Sequence, residues 1–440
     1  MSKRTIVKGT LILTITGLIT KCLGFYNRIF LTRLIGVREL GIYQLIFPIY
    51  VLTISCSCHG IATAITKHTS FYLGRKKPAC AKQVLLYGCM ISLFLSILFC
   101  FFIHRECAWI AIHMLKNSDC ADLLRILSPV IPFVAFKACV NAYFMGCEKP
   151  LYPGCCQLFE QIVRILSAYI LSISYMQDQI NAKLAVYAVV IGELAATAFA
   201  TLAYTLTKKK QTTRKDPLSI IAKKMRKDWY PMTLNETLFH AFSSLEAIIL
   251  PSYLFLYLCD KNQTMELYGI LTGIVIPFLL FPATITGALS TMLLPSISYA
   301  RACRNYKAIK KALTSSAFFC ILLGMLSWIG YACLGIPACT FAFHNAEAGY
   351  LLRQMAFLCP ILYLSTTLTS VMNGLNLAFK NLIYSIVAIL IRICCICFLV
   401  PIYGIPAYIF GMLMAYLLQC SLSLHAITKH IKESAYFVQS

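Results

Sequence analysis

Apolar runs roughly 20 residues long, nearly free of charge, recur along the whole chain, for example at 84–103, 184–206, 270–294, 312–334 and 382–399. A helix of that length crosses the ~30 Å hydrocarbon core of a bilayer, whereas a membrane β-strand needs only ~10 residues in strict alternation. These runs do not alternate, so they specify an all-α integral membrane protein. Spans are expected near 8–33, 42–66, 83–104, 123–146, 154–176, 184–206, 231–258, 268–294, 312–335, 351–373, 382–400 and 404–427, twelve in all. Composition agrees: 59% of residues are hydrophobic and 12% charged, against about half and a quarter in a soluble domain.

The basic opening Met1-Ser2-Lys3-Arg4 is like the front of a secretory signal. The helix after it carries Lys21 and Arg28 and lacks a small-residue cleavage site, so a retained first helix is expected. The 22 cysteines fall mostly inside apolar spans, as in Cys56, Cys58, Cys155, Cys156 and Cys394-Cys395-Cys397. That placement suits small apolar fillers rather than a metal or haem site.

The net charge of +23 is distributed by side of the membrane. Lys67, Arg75–Lys77, Lys82, Lys149, the dense group between Lys208 and Lys227, Arg301–Lys311, Lys380 and Lys429 share one side with the amino terminus. The other side holds only Arg33, Arg38, Arg105, Lys116, Arg125, Lys183, Lys261 and Arg353. The positive-inside rule then places both termini in the cytoplasm and accounts for the basicity with no nucleic-acid partner. Within 208–228, Ile220, Ile221 and Met225, with Trp229 just beyond, alternate with lysines. The pattern suits an anionic membrane face and equally a solvated basic loop.

The chain repeats itself. Leu123-Leu124-Arg125 recurs as Leu351-Leu352-Arg353, Pro132 as Pro360, Gly146 as Gly374 and Arg164-Ile165 as Arg392-Ile393, all at an offset of 228 residues. The expected organisation is therefore an amino-terminal six-helix lobe (1–207), a basic cytoplasmic linker (208–228) and a carboxy-terminal six-helix lobe (229–440). Two units of even span number enter from the same side, which makes the repeat parallel.

Charges inside apolar spans cost roughly 2.5–3.5 kcal/mol each at mid-membrane, so each needs an account. Thr14, Gly17, Lys21, Gly24 and Arg28 follow three- and four-residue spacings and share a stripe on the first helix, with Asn27 beside it. Snorkelling to the interface is the alternative for Arg28, which lies nearer a helix end. On the fifth helix Gln157, Glu160, Gln161 and Arg164 share a face, and Glu160 and Arg164 have the spacing of an ion pair. Arg392 repeats Arg164 without an acidic neighbour, which points to an anion. Lys137, Glu193, Glu236, His240 and Glu246 complete the set, Glu236 and His240 being spaced for a proton or cation site or an interhelical hydrogen bond. His59 and His344 stand out from nothing around them. No soluble catalytic domain, phosphate-binding loop or metal signature is present, so a transporter without a cofactor is expected rather than an enzyme.

The segments Lys8-Gly9-Thr10-Leu11, Thr20 to Arg28, Arg33-Leu34-Ile35-Gly36, Gly41-Ile42-Tyr43, Tyr143-Phe144-Met145-Gly146, Glu160 to Arg164 and Leu294 to Ser298 resemble the stage V sporulation protein B and polysaccharide-biosynthesis flippase family. That family sits in the superfamily of multidrug and toxin extrusion antiporters and MurJ-type lipid II flippases. The resemblance implies two lobes around a cavity and alternating access. It implies as substrate an undecaprenyl-pyrophosphate-linked saccharide carried to the outer leaflet, with Lys21 and Arg28 facing the cavity. Lys21, Arg28, Arg164 and Arg392 are accordingly the expected phosphate-binding residues, arginine matching phosphate through paired hydrogen bonds. Asn27, Glu160, Gln161, Glu193, Glu236, His240 and Glu246 are the expected polar or coupling residues. Membrane lipids and cell-wall synthesis enzymes are the expected partners. Two other readings stay open: a cation-coupled multidrug antiporter using Glu193, Glu236 or Glu246, and a membrane scaffold for wall synthesis that transports nothing.

Overall fold

The structure, a computed structural model, describes residues 3–174, 181–207, 217–303 and 305–439. Lys208, Lys209, Lys210, Arg214, Lys215 and Arg304 lie outside the described residues. Helix accounts for nearly everything described, and no strand occurs among the described residues.

The first half contains α1 (Lys3–Leu45), α2 (Phe47–Ile54), α3 (Gly60–Gly74), α4 (Pro78–Trp109), α5 (Cys120–Leu127), α6 (Ile131–Gly146), α7 (Leu151–Ser174) and α8 (Ala182–Thr207). A long helix α9 (Leu218–Leu258) comes next, then α10 (Lys261–Gly269), α11 (Ile276–Leu279), α12 (Ala283–Ala302), α13 (Tyr306–Phe343), α14 (Ala346–Met355), α15 (Cys359–Gly374), α16 (Ala378–Phe398), α17 (Val400–Tyr403) and α18 (Ile405–Gln439). Ten segments among the described residues are long and apolar enough to cross a membrane. Two features separate this from the twelve expected spans. The first two spans run on as one segment, Thr14–Gly74, bent where Gly36 takes φ +77°, a left-handed conformation natural to glycine. The eighth is broken into short helices by a π-turn at Ile270–Val275 and a turn before Ala283.

By packing, the chain divides into Met1–Ile248 and Ile249–Ser440, so α9 contributes to both units. The first turns of α9 bury Ile221 and Met225 in the first unit's core, against Ile65, Tyr72 and Val84 of α3 and α4. Asp228, at the end of the stretch 208–228, accepts from Lys67 at 3.0 Å and His68 at 2.9 Å on α3. All 22 cysteines are free thiols, ten of them buried, in keeping with their place in apolar spans.

The internal repeat is visible in backbone detail. A 3₁₀ turn at Ser128–Val130 precedes α6, and a 3₁₀ turn at Ala356–Leu358 precedes α15, again 228 residues apart. Pro132 and Pro360 sit at the second position of α6 and α15, where a missing N–H costs nothing. Ser70 Oγ donates to the Gly146 carbonyl at 2.9 Å, and in the second unit Ser298 Oγ donates to the Gly374 carbonyl at 3.2 Å. The sequence repeat is thus a repeat of helix ends and of the hydrogen bonds that tie them.

Gly146 shows how close these helices come. A Cβ there would stand 2.6 Å from Thr69 Cβ and 2.8 Å from the Thr66 carbonyl. Gly146→Val is expected to cost about 1–3 kcal/mol through overpacking, and Ser70→Ala about 1 kcal/mol through the lost hydrogen bond. Thermal unfolding in detergent ranks them; an unchanged midpoint for Gly146→Val would contradict this packing.

Candidate functional site

Four charged side chains meet deep in the first unit, on three adjacent helices. Lys137 comes from α6, Glu160 and Arg164 from successive turns of α7, and Glu193 from α8. Lys137 Nζ donates to Glu160 Oε2 at 2.6 Å and also to Glu193 Oε2. Arg164 Nη2 donates to Glu160 Oε1 at 2.6 Å and stands 3.6 Å from Glu193 Oε1. All four side chains are largely buried, none more than 17% exposed. The pairing expected from the spacing of Glu160 and Arg164 is present, as one edge of a ring with two cations and two carboxylates.

Local sequence explains why the ring closes. Gly192 lets α8 lie against α7: a Cβ there would be 3.2 Å from both the Glu160 carbonyl and Arg164 Cβ. Thr197 Oγ1 donates to the Phe133 carbonyl of α6 at 3.2 Å as well as to the carbonyl of Glu193 at 2.8 Å, which fixes α8 against α6. From α2, Tyr50 donates its hydroxyl to Glu193 at 3.4 Å. Tyr43, also buried, lies within electrostatic reach of both Arg164 and Arg28.

The polar face of α1 packs on α7. Gly24 faces Gln161, whose Nε2 would be 3.9 Å from an added Cβ, and Gly154 of α7 closes on Thr16. Asn27 is buried and Arg28 half-buried, while Lys21 is exposed. Asn27 Oδ1, Gln161 Oε1 and Arg164 Nε have no hydrogen-bond partner among the described residues. Buried polar atoms are nearly always satisfied, so these three mark a place for water or a polar ligand.

The second unit keeps the frame of this site and its arginine, without the lysine and the two carboxylates. At an offset of 228, Lys137 and Glu160 are replaced by Ser365 and Ala388, both buried. Gly411 of α18 backs onto Cys395 and Arg392 as Gly192 backs onto Arg164, and the residue after it is Met412 where the first unit has Glu193. Arg392 donates to the Tyr416 hydroxyl at 3.2 Å and lies over that ring.

The structure therefore groups Glu160, Arg164 and Glu193, with Asn27 and Gln161 on the neighbouring α1–α7 contact and Arg28 linked through Tyr43. Lys137 becomes a central member, although its spacing along the chain pairs it with nothing. Tyr50 is new, since an aromatic in an apolar run carries no signal of its own. Glu246 is buried on α9. Glu236 and His240, also on α9, lie 3.8 Å apart and meet His59, a residue with no signal in the sequence.

Residues 13–170 match the MatE family model. Stage V sporulation protein B of Bacillus subtilis (strain 168) is 26% identical over 400 residues, 89% of this chain and 77% of that protein. The lipid II flippase MurJ of the same organism is 21% identical over 373 residues, 78% of this chain and 66% of that protein. Among solved structures, an inward-facing multidrug resistance MATE family transporter of the MOP superfamily superposes with TM-score 0.73 at 15% identity, over 94% of this chain and 96% of that one. A MOP superfamily transporter from Pyrococcus furiosus gives TM-score 0.73 at 14% identity, over 98% and 96%. The resemblance read from the motifs stands, and the fold is that of MOP-superfamily transporters.

Removing one cation from a buried ring leaves carboxylates uncompensated, which typically costs about 3–5 kcal/mol. Lys137→Met should therefore lower the unfolding midpoint markedly, and Lys137→Met with Glu193→Gln should recover much of the loss. If the double variant were no more stable than the single one, the four groups would not act as one neutral cluster.

Proposed function

We propose that the chain is a flippase that carries a polyprenyl-pyrophosphate-linked saccharide to the outer leaflet by alternating access. Its place would be a bacterial plasma membrane, with both termini in the cytoplasm and cell-wall synthesis enzymes as neighbours. The observation that carries this reading is the charge count around α1. Glu160 and Glu193 are matched by Lys137 and Arg164, so that ring is neutral and the charge α1 brings beside it, Lys21 and Arg28, is positive. A diphosphate is the membrane-borne group that such a surplus attracts. Arginine suits it through two parallel hydrogen bonds. Unsatisfied Asn27 and Gln161 supply polar neighbours for a sugar or phosphate oxygen. Arg392, which donates to the Tyr416 hydroxyl, is the counterpart of Arg164 in the second unit and is proposed as a further phosphate contact. The similarity to stage V sporulation protein B and to the lipid II flippase MurJ supports the same substrate class.

The multidrug antiporter reading takes support from the fold of the solved neighbours. An antiporter of that kind needs a carboxylate open to an incoming cation. Glu193 is engaged by Lys137, Arg164 and Tyr50, which weighs against it in that role.

The test is flipping of a labelled undecaprenyl-pyrophosphate saccharide in reconstituted vesicles. Loss of one charge-assisted contact, worth about 1.5–3 kcal/mol, predicts that Arg28→Ala slows flipping roughly 10–100-fold, with Arg28→Lys partly active. Arg392→Ala should slow it as well. Absence of flipping with proton- or sodium-driven efflux of an organic cation would instead establish the antiporter. Wall synthesis unaffected by either substitution in cells would favour the scaffold.

A further inference from the structure

We propose that His59, Glu236 and His240, none of them a member of the charge ring, form a binding site for a divalent transition-metal ion of the zinc class. One ligand atom from each of the three lies within 4.8 Å of the others. Glu236 and His240 are four residues apart on α9, so their side chains rise from one face. His59 arrives from the other side, at the last residue of a π-turn, Ser55–His59, that joins α2 to α3.

Two local features bring these elements together. The π-turn inserts an extra residue into the helix, rotating the α3 side chains by about 100° relative to a regular α-helix. Ser55, Ser57 and Cys58 are buried while His59 is left at the α9 side. Gly60, the next residue, has no side chain, and α9 occupies the space a side chain would need. A Cβ on Gly60 would overlap the Thr233 nitrogen and stand 2.5 Å from its Cα. The two backbones thus touch one turn away from Glu236, and the imidazoles of His59 and His240 come to 5.7 Å, centroid to centroid.

Hydrogen bonding does not explain the convergence. Glu236 Oε2 and His240 Nε2 are 3.8 Å apart, beyond hydrogen-bond range. Two ligands held at ~2.1 Å by a tetrahedral ion stand about 3.4 Å from each other, so the site closes by side-chain contraction from separations of up to 4.8 Å. No lysine or arginine is ion-paired to Glu236 among the described residues, and its side chain is 51% exposed. Two imidazoles and one carboxylate suit zinc and its neighbours rather than magnesium or calcium, which prefer oxygen alone. Three protein ligands leave a coordination position open on the exposed side. An ion there fastens the first half of α9 to the break between α2 and α3.

The full-length chain, purified in detergent without a histidine tag, is titrated with Zn²⁺ by calorimetry and with Co²⁺ by absorption. One equivalent should bind, and the cobalt spectrum should show d–d bands without a thiolate charge-transfer band, which separates this site from the 22 cysteines. Glu236→Gln, at a half-exposed position, keeps the fold and should weaken binding beyond the roughly 10–100-fold that loss of an outer-shell partner costs. His59→Ala and His240→Ala should do the same. Stoichiometric binding that survives all three substitutions, a thiolate band, or no saturable binding by the folded wild type would each overturn the assignment.

Discussion

An ion taken from water into a low-dielectric interior loses several kcal/mol of solvation, and a membrane protein cannot bring water to every helix to restore it. The first unit answers with a closed ring in which each of Lys137, Arg164, Glu160 and Glu193 has two opposite charges in reach. Much of the surrounding sequence serves that geometry. Gly192 admits α8 to the α7 surface, Thr197 fastens α8 to α6, and Tyr50 covers Glu193 from α2. The ring joins three helices through side chains that none of them could keep charged alone. With two cations and two carboxylates, the ring adds no net charge to its neighbourhood.

Helix class, spans and repeat were legible because each depends on near neighbours along the chain. Hydropathy over ~20 residues is a local property, and the offset linking Gly146 to Gly374 survives as identical helix ends. The pairing of Glu160 with Arg164 was legible for the same reason, four residues being one turn. Lys137 and Glu193 were visible as expensive charges, but their partners are set by how α6 and α8 pack, which no spacing encodes. His59 was hidden more thoroughly. Its relation to Glu236 and His240 depends on a π-turn, which has no sequence signature in Ser55–His59, and on the contact between Gly60 and Thr233. The merging of the first two spans around Gly36 was likewise unreadable, since a glycine in an apolar run marks a bend only when its dihedral is known.

The two units also show that helix frame and charge are separable. Ser70 with Gly146, and Ser298 with Gly374, tie the same helices at the same place in units whose interiors differ in polarity. Packing between these helices is carried by small residues and backbone carbonyls, so side chains a few turns away can change without loosening it.

The two copies differ most in those interior residues. Where one copy has Lys137, Glu160 and Glu193, the other has Ser365, Ala388 and Met412, yet both have an arginine, Arg164 and Arg392, one turn beyond Glu160 and Ala388. Arg392 donates to the Tyr416 hydroxyl and lies over that ring. The arginine is what the two copies share, and the carboxylates are the part that one copy alone carries. The second half, which has only the arginine of the four, is therefore the simpler background on which to rebuild the ring, one residue at a time, and to learn at which step a membrane helix begins to tolerate its charges.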